Sequence, residues 1–195
     1  MPISDELKHA LSTMTPSAFV SRWLLERVPF AFGNDLDTYL AWKHGLADKL
    51  AVDPKAIALV GTAAIGTSLN PDKNFRDFDS ESDIDVAIVS QYHFNVLWRW
   101  MRGLGAAYHR LPVRARNAVN QHRSNYVYWG TIATDKLLPH TPLAAEWVPA
   151  LDAMSSVDPT RGRDVKARLY ADFDSLRAYH AQGILTIRQK LLGGA

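Results

Sequence analysis

The chain has 195 residues, of which 47% are hydrophobic, 11 are glycine and 10 are proline; this fits one compact domain with its own core and excludes fibrous, disordered and two-large-domain architectures. Its 22 basic and 20 acidic side chains give a formal charge of only +2, yet residues 61–90 carry two basic and six acidic side chains, whereas residues 91–125 carry six basic and none acidic. The absence of cysteine excludes disulfides, thiolate metal sites and cysteine nucleophiles. The start MPISDELKHALS lacks the basic-then-apolar order of a signal peptide, and no apolar run approaches the roughly 20 residues of a membrane span, so a soluble cytoplasmic protein with no membrane contact is expected.

The first 52 residues read as helical. Thr15-Pro16 supplies an N-cap and a proline at the first helical position, and Phe19, Trp23 and Leu24 follow at helical spacing until Pro29. A second helix starts at Asn34 or Asp35 and runs to about Leu50, with Leu36, Tyr39, Leu40 and Leu46 on one face. The apolar run Ile57-Ala58-Leu59-Val60 then predicts a buried strand, Gly61 to Gly66 a tight turn into a helix, and Ile84 to Val89 a second strand beyond a polar loop. Phe94, Leu97, Trp98, Met101 and Leu104 step by three and four, which predicts an amphipathic helix from Tyr92 to about Gly105. Another helix is expected from Pro112 to Gln121, a third strand from Tyr126 to Ile132, and mostly loop from 135 to 158. Finally Asp158-Pro159 opens a predicted helix to about Leu192, with Val165, Leu169, Phe173, Leu176, Ile184 and Ile187 among its apolar positions.

The residues richest in chemistry are Gly61-Thr62 and Asp83-Ile84-Asp85. Strand side chains two apart share a face, so Asp83 and Asp85 present two carboxylates side by side. Two close carboxylates repel unless a cation lies between them. Mg²⁺ meets that need, keeping some waters and completing its shell with substrate phosphate oxygens. A Gly-Thr turn after a buried strand lets backbone N–H groups and a hydroxyl approach a phosphate.

With these two elements in order, the stretch from residue 57 to 90 resembles the DNA polymerase beta-like nucleotidyltransferase superfamily. The resemblance lies in Ala58-Leu59-Val60-Gly61-Thr62-Ala63-Ala64-Ile65-Gly66 followed by Ser82-Asp83-Ile84-Asp85-Val86-Ala87-Ile88-Val89. It implies a small mixed sheet flanked by helices; together with the helices read above, a single α+β domain is expected, with N-terminal helices over 1–52, a catalytic core over 53–135, and a loop and C-terminal helical extension over 136–195. It also implies two Mg²⁺ ions and transfer of a nucleoside monophosphate from an NTP, ATP in particular, with release of pyrophosphate. Asp83 and Asp85 would bind the metals, Gly61 and Thr62 the distal phosphates, and Ser82 would orient the acidic strand. Lys73 and Arg76, in a loop longer than that of minimal members, would reach phosphate. The third carboxylate of the superfamily sits on a later strand, but residues 111–134 hold no Asp or Glu; Asp135 is the substitute by position.

The acceptor would be a hydroxyl on a protein, an RNA or a small molecule. A competing reading is a catalytically weak or inactive member that binds nucleotide, RNA or a partner protein in the manner of an antitoxin. The arginines of the basic stretch, Arg99, Arg102, Arg114 and Arg116 among them, suggest polyanion contact. The apolar stripe of the last helix is compatible with packing on the domain or on a second copy as a homodimer.

Overall fold

The computed structural model describes residues 4–70 and 75–193. Helix α1 (Asp5–Thr13) is capped by Ser4, whose hydroxyl accepts from the Leu7 N–H. Helix α2 (Pro16–Val20) is capped by Thr15, as the sequence predicts, and continues into a π-helical turn over Ser21–Leu25. Asp35 caps α3 (Leu36–Leu50) by accepting from the Thr38 N–H at 2.9 Å. Strand β1 (Ile57–Val60) leads directly into the short helix α4 (Gly61–Ile65). A polar connection, pinned by a bridge between Thr67 and Asp77, returns the chain to β2 (Ile84–Val89). Then come α5 (Gln91–Gly103), α6 (Val113–Ser124), β3 (Thr131–Ala133), α7 (Ala144–Met154), β4 (Val165–Tyr170) and α8 (Phe173–Gly193).

The four strands form one mixed sheet in the order β1-β2-β4-β3, so the α+β expectation holds. β1 runs antiparallel to β2, β2 parallel to β4, and β4 antiparallel to β3. One sheet face presents Ile57, Leu59, Ile84, Val86, Ile88, Val165, Ala167, Leu169 and Ile132, all buried in a core shared with α3, α5, α6 and α7. The other presents Val60, Ala87 and Tyr170, which pack with α1, α2, α4 and α8. This second face is where Asp83 and Asp85 project, because they alternate with Ile84 and Val86.

Three expectations are corrected. Residues 126–129 are a 3-10 turn rather than strand, and pairing begins only at Thr131. Gly130 separates the two: it has φ +61, and a Cβ there would run into the Ser175 side chain. Residues 144–154 are helix rather than loop, with Pro149 inside. Trp147, Ala150, Leu151 and Met154 are buried there, and roughly 1.5–3 kcal/mol for each large side chain outweighs the roughly 3 kcal/mol that an interior proline costs. The helix predicted from 158 to 192 is broken. Residues 158–164 are turn, Val165–Tyr170 is β4, paired along its whole length with β2, and α8 begins only at Phe173. Leu176, Ile184 and Ile187 of α8 are buried against α1 and α2, so its apolar stripe packs on the domain. Among the described residues no helix is long and apolar enough to cross a membrane.

Candidate active site

The antiparallel pairing of β1 and β2 sets Val60 opposite Asp85, so Gly61 follows β1 beside the acidic strand. Gly61 has φ +66, a conformation that favours glycine, and a Cβ on it would stand 3.0 Å from the Asp85 carboxylate oxygen Oδ2. The glycine turn and Asp85 therefore form one corner, with Asp83 two residues before it on the same face. Asp83 and Asp85 are both exposed there, while Ile84 and Val86 between and beyond them are fully buried.

A cavity of about 220 Å³ opens at this corner, lined by Gly61, Asp85, Asp135, Lys166, Arg168 and His180 together with Val60, Ala133 and Ala167. Asp135 lies in the turn after β3 and shares the cavity with Asp85. Thr62 is half-buried, and its carbonyl accepts from the Gly66 N–H at 2.8 Å. Ser82 is buried. Its hydroxyl donates to Asp79 Oδ1 at 3.0 Å and accepts from the Asp79 N–H at 3.1 Å, so it closes the loop that precedes β2. That hydroxyl holds the Asp79 carboxyl below its usual range, opposed by burial and helped to a lesser extent by the Arg76 guanidinium. Arg76 lies 3.5 Å from Asp79, and of the expected site residues Thr62, Arg76, Ser82 and Asp83 do not line the cavity. Lys73 lies outside the described residues.

The later strand beside β2 is β4, and register pairs Asp85 with Lys166 and Ala87 with Arg168. Where the superfamily resemblance calls for a third acid, this strand turns two cations onto the acidic face. Lys166 Nζ donates to Asp83 Oδ2 at 2.5 Å, with Asp164 at 3.9 Å. That bond raises the Lys166 pKa, partly opposed by burial. Among the described residues no three His, Asp or Glu side chains are grouped to hold a metal ion.

Behind the cavity, α8 brings His180 to Tyr170, whose hydroxyl lies 2.9 Å from Nε2. Burial, and then the neighbouring Arg168 charge, pull the His180 pKa down to about 4, which keeps the ring neutral. Burial likewise raises the phenol pKa of Tyr170. Lys166, Arg168 and His180 all lie within the predicted C-terminal helix. The signal that finds the first two is the strict alternation of apolar Val165, Ala167 and Leu169 with polar 166 and 168.

The arginine-rich helices stand elsewhere. Phe94, Leu97 and Met101 of α5 and Ala118 and Val119 of α6 enter the core on the opposite face of the sheet. Arg99, Arg102, Arg114 and Arg116 ride on those helices, and none lines the cavity. Arg102 lies over Trp98 at 4.3 Å, and Arg116 donates to the His109 carbonyl at 3.5 Å. The acidic and basic stretches, adjacent in sequence, thus do not build one surface around the carboxylates.

No protein-family model, no curated protein and no solved structure matches the chain.

Proposed function

We propose that the chain binds Mg²⁺ and a nucleoside triphosphate, ATP in particular, at the Gly61–Asp83–Asp85 corner and transfers the nucleoside monophosphate to a hydroxyl acceptor with release of pyrophosphate. The observation that carries this reading is the 3.0 Å approach of a Gly61 Cβ position to Asp85, which sets a glycine turn against one carboxylate of the Asp83/Asp85 pair. The donor set suits one Mg²⁺: two carboxylates on one face, with waters and phosphate oxygens filling the remaining positions. When bound, Mg²⁺ would neutralise and orient the triphosphate. Gly61 leaves room for a phosphate against the backbone, Asp83 and Asp85 hold the ion, and Asp135 accepts the proton of the attacking hydroxyl. The acceptor class, whether protein, RNA or small molecule, follows from none of these groups.

The test is transfer from α-labelled ATP with Mg²⁺, in the wild type and in Asp83→Ala/Asp85→Ala. Labelled product and pyrophosphate are expected from the wild type alone, and equal labelling by the double variant would refute the assignment. A second reading, nucleotide binding without transfer, is favoured by the Lys166–Asp83 ion pair and the cations of β4 in place of a third acid. Mg²⁺-dependent ATP retention with no pyrophosphate released would select it.

A further inference from the structure

Arg168 is an anomaly in this fold. Its Nη1 is buried and has no hydrogen-bond partner, and among the described residues the guanidinium enters no ion pair. The side chain as a whole is half-buried, and its hydrogen-bonding neighbour, the Tyr179 phenol, is neutral, so the buried Nη1 donor is unmatched, which is costly, and the guanidinium charge is left for an anion to balance. The side chain is nevertheless held in place, with its guanidinium carbon 4.8 Å from the Tyr179 ring centroid and 5.2 Å from that of Tyr126. Two aromatic faces thus fix the fork before any ligand arrives. It lines the same cavity of about 220 Å³ as Lys166 and Gly61.

We propose that this cavity is a polyphosphate site in which Arg168 and Lys166 of β4 hold phosphoryl oxygens directly, without a divalent ion. The inference deepens the reading of an NTP site and names the side chains that take its phosphates. Arginine offers a planar fork of N–H donors matched to phosphate oxygens. Lys166, on a flexible stem and half-exposed, exchanges the Asp83 carboxylate for a phosphate as the ligand enters. Asp85 and Asp135 also line the cavity and repel a bare polyphosphate, so binding without metal is weak and Mg²⁺ at the carboxylates strengthens it.

The experiment is calorimetric titration of the full chain with inorganic pyrophosphate, and separately with ATP, in EDTA. The wild type is expected to bind both saturably, and Arg168→Gln to bind both about tenfold or more weakly, as loss of a charge-assisted hydrogen bond implies. Lys166→Met is expected to weaken both several-fold, whereas Asp83→Asn/Asp85→Asn binds at least as tightly as the wild type. Thermal melts report whether each variant is folded; if Arg168→Gln is not, Lys166→Met decides. Absence of saturable pyrophosphate binding by the wild type overturns the proposal, as does ATP binding without pyrophosphate binding, or unchanged affinity in the cation variants. Label transfer with no binding in EDTA overturns this inference alone, whereas pyrophosphate binding without transfer leaves it standing and removes the enzymatic reading.

Discussion

At Gly61 two constraints coincide: a left-handed backbone at φ +66 and a carboxylate 3.0 Å from where a Cβ would stand. Gly61→Ala is expected to cost about 1–2 kcal/mol in stability from the backbone alone and to push Asp85 aside. Ala64, buried one turn along α4, provides the control, because Ala64→Gly costs stability without touching the carboxylate. Mg²⁺-dependent ATP affinity should fall in Gly61→Ala and hold in Ala64→Gly; parallel losses in both would mean that the glycine acts only through the fold. At Lys166 the ion pair with Asp83 is half-exposed and contributes at most about 1 kcal/mol to folding. Its weight therefore falls on the charge of the corner rather than on stability.

Among the elements, the join between α6 and β3 rests on one histidine. His122 is buried; its Nδ1 lies 2.6 Å from the Ala118 carbonyl, and its Nε2 accepts from the Ala133 N–H at 2.9 Å. The Ala118 contact makes Nδ1 the protonated nitrogen. His122→Leu leaves the Ala133 N–H without its acceptor, and urea unfolding should show a loss of about 1–3 kcal/mol; an unchanged midpoint would show that another group takes over. Elements with one dominant local signal were legible in the sequence. Thr15-Pro16 and Asp35 marked helix starts, Ile57–Val60 and Ile84–Val89 were apolar enough to be strands only, and Gly61 marked the turn into α4. β4 is not legible in the sequence because Val165, Leu169 and Phe173 also fit a helical period of four, while the period of two in Val165, Ala167 and Leu169 gains its meaning from pairing with β2, a contact 81 residues away in sequence for Ile84 and Val165. For the same reason the acidic half of the site was readable and its cationic half was not: Asp83 and Asp85 sit beside their own signal, whereas Lys166 and Arg168 reach the corner only through sheet register.

For the whole molecule, the sheet separates what the sequence places side by side. Acidic residues 83 and 85 project on the face covered by α1, α2, α4 and α8, and the arginine-bearing α5 and α6 pack on the other, so the jump in charge near residue 90 measures a crossing of the sheet. The same layering buries His93 and His122 and packs the partly buried His180 against Tyr170. His93, His122 and His180 all have pKa values lowered chiefly by burial, His180 to about 4. As pH falls below the ordinary histidine value of about 6.5, the unfolded chain takes up protons that the folded chain refuses, so stability declines through about pH 4. The melting temperature should therefore drop between pH 7 and 4.5, and less steeply in His180→Gln, which retains a polar partner for Tyr170. A flat profile in the wild type would contradict the burial of these rings.

The central claim, that Asp83 and Asp85 hold the ion for a bound triphosphate, is tested most directly by titrating ATP with and without Mg²⁺ into the wild type and Asp83→Ala/Asp85→Ala. Mg²⁺ is expected to tighten ATP binding to the wild type about tenfold or more, as direct carboxylate–metal–phosphate contacts imply, and to leave the double variant unchanged. Equal effects of Mg²⁺ on both proteins would contradict it.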